Sequence, residues 1–173
     1  MKENKDITYL FYIFLIGGFT GFIYEIIFYY LEYGYFIKSG ILYGIITPIY
    51  GIGAIFLYYL KKYKNKPLLL FILSMLITGL VEYIIGYIAF NYLDLRLWNY
   101  DNALLNINGI ICLRSITTFA IGSLLLHYLI IPLLDKIFIN IKYLYLKNFA
   151  YLSLFLFTTD VILSIIFKKP KTF

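Results

Sequence analysis

Four ionisable side chains, Glu25, Glu82, Arg114 and Asp160, interrupt stretches that are otherwise built of Ile, Leu, Phe, Tyr and small residues. In lipid each such charge costs at least about 2.5–3.5 kcal/mol on insertion scales, so it needs a partner or a task. A carboxylate in this setting accepts hydrogen bonds, takes up a proton or holds a cation, and a guanidinium supplies the matching fork of donors. Asp160, flanked on its own face by Ser153 and Ser164, is a secondary candidate that either bonds to a neighbouring helix or carries a proton. His127, the sole histidine, is either a hydrogen-bonded core residue or a proton relay, and Cys112, the sole cysteine, reads as a small apolar filler.

Depth decides which charges meet. Counting 1.5 Å per residue, Glu25 lies roughly 27 Å and Glu82 roughly 21 Å into their spans, while Arg114 starts within about 6 Å of the same boundary on a helix of opposite direction. The arithmetic predicts that Arg114 pairs with Glu82, Glu25 or both. Three roles fit such a cluster: an ion pair that locks the bundle, a cation-, proton- or headgroup-binding site, or side chains reaching up to the interface.

The elements that must position these groups are helices. The chain has 173 residues, 62% hydrophobic and 14% charged, whereas a soluble domain is typically about 25% charged. It is therefore expected to be a single all-α integral membrane domain over 1–173, contacting membrane lipids. Runs long enough to cross about 30 Å of hydrocarbon lie at about 7–31, 41–60, 68–92, 110–134 and 149–167. Five spans follow, and with no period-2 alternation a β-barrel is ruled out. An amphipathic link, Asp135–Asn148, with Ile137, Phe138, Ile141 and Leu144 on one face, is expected to lie in the interface.

Small and hydroxylated residues share faces with the charges: Gly18 and Gly21 with Glu25, Thr78, Gly79 and Gly86 with Glu82, and Thr117, Thr118 and Gly122 with Arg114; Gly17 and Gly21 also form a GxxxG. Such stripes let backbones approach, so all three are expected to turn inward. In the second span Gly44, Pro48, Tyr50 and Gly51 predict a kink that exposes carbonyls to a cavity. The polar run 94–109 predicts an outer cap, with Trp98 and Tyr100 as interfacial anchors and the Asn106 and Asn108 amides dipping into the bundle mouth.

Net charge is +6, but the lysines lie between spans rather than in one patch, so no nucleic-acid partner is expected. Nine lie on the side of the N-terminus and six on the other side if Arg114 is counted, which predicts a cytoplasmic N-terminus in a multi-pass cell-membrane protein, with the basic tail Lys168–Phe173 outside. One cysteine and one histidine allow no disulfide and no Cys/His metal cage. No cofactor is implied. No phosphate-binding GxxxxGK[ST] is present, so ATP-driven activity would need a separate ATPase subunit.

Several short motifs occur in order: Gly21-Phe22-Ile23-Tyr24-Glu25, Gly40-Ile41-Leu42-Tyr43-Gly44, Pro48-Ile49-Tyr50-Gly51-Ile52-Gly53-Ala54, Glu82-Tyr83 with Gly86, Trp98-Asn99-Tyr100, Asn106-Ile107-Asn108-Gly109 and Pro132. Together, over about Phe14 to Leu134, they resemble the ABC-transporter type IV membrane proteins of the CmpB family. The departures are Ile45, Phe90, Asn99, Ile110 and Phe119, which mostly replace polar residues of that pattern. The resemblance implies a permease-like subunit of a transporter, with an ATPase or another membrane protein as partner and without a named substrate. Two rivals stand beside it: a membrane-embedded lipid-acting enzyme using Glu25 or Glu82 as acid or base, and a non-catalytic scaffold or regulator packing through its glycine faces, as a homo-oligomer or against other proteins.

Overall fold

The computed structural model describes residues 2–36, 38, 40 and 42–167. Ile41, where the second span was expected to begin, and the tail 168–173 lie outside the described residues. The described residues are helical with no strand beyond one isolated bridge, Ile107 to Ile111.

Helix α1 spans Lys2–Tyr33 and stops where Gly34 turns left-handed at φ +77°, its N–H closing on the Tyr30 carbonyl. Helix α2 covers Pro48–Tyr58 and tightens into a 3₁₀ turn, Tyr59–Tyr63. Helix α3 is Pro67–Leu93, opened by a proline that needs no N–H partner and closed by left-handed Asp94. Helix α4, Leu113–Leu125, runs through a π-turn, Leu126–Ile130, into α5, Ile131–Asn140. Helix α6 is Tyr143–Phe167.

Four helices are long and apolar enough to cross a membrane: Asp6–Tyr33, Pro67–Leu93, Leu113–Asn140 and Tyr143–Phe167. Their outer faces carry Leu76, Leu80, Phe155 and Ile165, each more than 60% exposed, as suits a lipid-facing surface. The expected second span is the exception. At 11 residues, α2 reaches only about 16 Å. Residues 42–47 are not helical because their backbone groups are satisfied elsewhere: Thr47 N–H donates to the Gly18 carbonyl, and the Tyr43 and Gly44 amides go to Asp160. Pro48 begins a helix and does not kink one. The expected interfacial link is also absent as such. Residues up to Asn140 prolong the third long helix, 141–142 form the break, and Tyr143 already belongs to α6. Of the link's apolar face, Phe138 packs edge-on against Tyr9 and Tyr12 at 5.0 and 5.4 Å, while Ile137, Ile141 and Leu144 stay exposed.

The chain divides into two compact units, one formed by residues up to Ile55 with those from Asp135 onward, the other by Phe56–Leu134. In the first, α2 crosses α1 over the glycines of the GxxxG. Gly17 meets Ala54, Gly21 meets the Tyr50 ring, and a Cβ on Gly51 would fall 2.6 Å from Phe14. The α1 stripe thus packs against the second segment, and Tyr50 and Gly51 fill this contact where a cavity was expected. Beside it, Thr8 bonds Tyr143 and Tyr12 bonds the Leu146 carbonyl, seating the start of α6 on the start of α1. In the second unit, α3 and α4 pack as an antiparallel pair, with Gly79 against Ile116 and Gly86 against Ile110.

Candidate functional site

In the second unit the buried face of α3 is polar along its length: Ser74, Thr78 and Glu82 are 0, 1 and 4% exposed, and Gly86 continues the row. It meets a matching row on α4 and the π-turn, Ser115, Phe119, Ser123 and His127, spaced every four residues. The stripe expected from Arg114, Thr117, Thr118 and Gly122 lies about one residue round the helix from this buried row. Arg114 is exposed, and a Cβ on Gly122 would meet nothing within 4 Å.

Cys112 sets where that row begins. Its Sγ accepts the Ser115 N–H at 3.4 Å, while Ser115 Oγ accepts the Cys112 N–H at 3.1 Å, a reciprocal cap at the head of α4. The cysteine is therefore a capping residue and not mere filler. The cap holds Ser115 beside the Glu82 carboxyl.

Glu82 Oε1 accepts a hydrogen bond from the Tyr100 hydroxyl at 3.3 Å, and Oε2, fully buried, has no hydrogen-bond partner. A buried acceptor without a donor is rare and calls for an explanation. Arg114 reaches the same end of the unit, but its guanidinium lies over the Tyr100 ring, 5.8 Å from the centroid. The predicted Arg114–Glu82 ion pair is thus replaced by an indirect relation, cation over ring and hydroxyl to carboxylate. Glu25 is half-buried on α1 and belongs to the first unit.

Tyr100 reaches Glu82 because the loop between α3 and α4 folds on itself. Arg96 forms an ion pair with Asp101 at 2.7 Å and bonds Asn99 at 3.0 Å; the Tyr100 N–H donates to the Gly109 carbonyl. Gly109 turns left-handed at φ +65°, and a side chain there would run into Asp101 and Arg96. The loop is folded on its own hydrogen bonds, and its members have these duties. Trp98 points inward, donating from Nε1 to the Ile110 carbonyl at 2.6 Å. Asn106 spends its amide on the Asp101 and Ala103 carbonyls and accepts the Gly109 N–H, so it staples the loop and does not dip into the bundle. Asn108 reaches α3 through the Tyr83 hydroxyl at 2.9 Å. A small cavity lined by Gly86, Trp98, Asn108 and Ile110 lies under this cap, and Glu82 does not line it. Tyr100 was expected to sit as an interfacial anchor; it is the residue that carries the cap into the polar row. Burial first, and then the Glu82 charge, push its phenol well above the usual tyrosine range, so it stays a donor through neutral and alkaline pH.

His127 is 1% exposed, with Nδ1 2.8 Å from the Ser123 carbonyl, and its Nε2 is the second buried polar atom without a partner. Asp160, in the first unit, is fully engaged. Oδ1 accepts from the Tyr43 and Gly44 amides at 3.0 Å and from Ser164 Oγ at 3.3 Å, and Oδ2 accepts from Gly44 at 3.0 Å. A Cβ on Gly44 would lie 2.6 Å from that carboxylate, which is why glycine stands there. Among the described residues no cluster of three His, Cys, Asp or Glu could hold a metal ion.

No curated protein and no solved structure matches the chain. Residues 12–165, most of the polypeptide, match the family model described as "Putative ABC-transporter type IV". With its long apolar helices and buried polar row, the chain belongs to that family of membrane proteins.

Proposed function

We propose that this chain is the permease-like, membrane-embedded subunit of a transporter that works with a separate ATPase subunit, and that Glu82 receives a hydrogen-bond-donating or cationic group of the transported species. One observation carries the reading: Glu82 Oε2 is buried inside an apolar bundle with no donor of its own. A carboxylate so placed is worth retaining only if a donor arrives. Tyr100 bonds the other oxygen, the Arg114 guanidinium lies over the Tyr100 ring and the Ser115 side chain lies beside the carboxyl, neighbours that support reading Oε2 as the acceptor for a donor from outside. We place the protein in the cell membrane with its N-terminal end in the cytoplasm. In the first unit the start of α1 shares an end with the α5–α6 junction, where Lys136, Lys142 and Lys147 cluster, as positive-inside sorting favours.

The test is purification in mild detergent followed by reconstitution. An ATP-hydrolysing subunit is expected to accompany the chain. Vesicle uptake of labelled methylammonium, used as the donor-bearing probe, is expected to fall about tenfold or more in Glu82→Gln, the loss of one charged hydrogen bond. Absence of any ATP-hydrolysing partner, or equal uptake by wild type and Glu82→Gln, overturns the reading.

A further inference from the structure

We infer that the seam between α3 and α4 conducts protons, with His127 as its second terminus and Glu82 as the first. His127 fixes its own tautomer. The Ser123 carbonyl 2.8 Å from Nδ1 can only accept, so Nδ1 carries the hydrogen and Nε2 of the neutral ring is a bare lone pair. That lone pair is buried and without a partner, as is Glu82 Oε2 in the same seam. The residues between them are acceptors too. Ser74 Oγ gives its hydrogen to the Leu70 carbonyl at 2.6 Å and Thr78 Oγ to the Ser74 carbonyl at 2.7 Å, which leaves only lone pairs free to face the seam.

The spacing suits water. Glu82, Thr78 and Ser74 follow one another every four residues, a rise of about 6 Å, which one water bridges with two hydrogen bonds of about 2.8 Å. The antiparallel register set by Gly79 against Ile116 brings Ser74 within about one turn of Ser123, whose hydroxyl is 3.5 Å from His127 Nδ1. The two unpartnered acceptors at its ends call for donors, and water or hydronium is the smallest that fits. His127 sits in the one π-turn among the described residues, Leu126–Ile130, a helix irregularity frequent at functional positions.

The step is a proton transfer. Hydronium gives a proton to Nε2, forming imidazolium; the imidazolium returns it to seam water; and the last water protonates the Glu82 carboxylate, so one proton moves and only N–H and O–H bonds change. Around the His127 end lie the Lys64 charge and the Tyr58 backbone, and around the Glu82 end Tyr100, Arg114, Cys112 and the Ser115 side chain. The inference rests on the Glu82 reading for one terminus but is tested at the other.

Because His127 is the only histidine, ¹⁵N-histidine labelling of the full chain in lipid nanodiscs reports on it alone. The expected spectrum has the neutral Nδ1–H tautomer and exchange between Nε2 and water. An Nε2–H tautomer, or a ring blind to water, overturns the inference whatever methylammonium uptake does. In liposomes under an imposed potential, His127→Gln and Glu82→Gln are each expected to cut proton entry about tenfold, the ratio equivalent to about 1.4 kcal/mol, and Ser74→Ala with Ser123→Ala to reduce it less. Proton entry unchanged in His127→Gln overturns the seam as a conductor and leaves the Glu82 binding reading standing.

Discussion

The two units solve the problem of polarity in lipid in opposite ways. In the first, Asp160 is saturated: three donors converge on its two oxygens, and they include backbone amides that the non-helical run before α2 leaves free. In the second, Glu82 and His127 each keep one buried atom without a partner. Satisfied polarity holds a backbone in place, whereas orphaned polarity is tolerated where something passes or binds. The contrast fits an architectural Asp160 and supports the roles proposed for Glu82 and His127, although all three look alike in the sequence.

The largest expected effect breaks the architectural side. Asp160→Ala strands the Gly44 amide, at about 1–3 kcal/mol, and leaves the Tyr43 amide with Ser164 Oγ alone; it should lower the unfolding midpoint in nanodiscs by more than any substitution at Glu82. Asp160→Asn, which keeps one acceptor oxygen, should recover part of the loss. If Glu82→Gln melts lower than Asp160→Ala, the division of labour is reversed. Next comes the helix crossing in the first unit. Gly21→Ala drives a methyl into the root of the Tyr50 side chain, an overpacking worth about 1–3 kcal/mol, read by the same melts and relieved by pairing it with Tyr50→Gly, which removes the Cβ as well as the ring. The smallest effect sharpens the contrast. Gly122→Ala has open space around it and should shift stability by no more than about 0.5 kcal/mol, or raise it slightly through helix propensity; a large loss would restore the stripe first expected on α4.

What the sequence made legible was long-range in composition and short-range in geometry. Hydropathy gave the helical membrane class and the placement of α1, α3, the α4–α5 helix and α6, because apolar length is a local property. It failed at 41–60, where the residues are as apolar as any span but a tertiary partner, Asp160, more than a hundred positions away, takes the amides a helix would use. Glu82 was legible as a buried charge beside Thr78 and Gly86. Its partner was not, because Tyr100 is one of 20 tyrosines and only the loop's closure through Gly109 and Asn99 aims it inward. The α4 face was misread by one position, since hydroxyl and glycine residues occur on two adjacent stripes and period alone does not choose between them. The signal for the correct one was the four-residue repeat Ser115, Phe119, Ser123, His127.

The cap at the head of α4 has a practical side. Its sulfur is the sole thiol in the chain and is 1% exposed, so a maleimide reaches it only when the first turn of that helix comes apart. Unaltered protein thus carries a built-in reporter one turn from the Glu82 neighbourhood, and its labelling rate clocks any opening there without a single engineered residue.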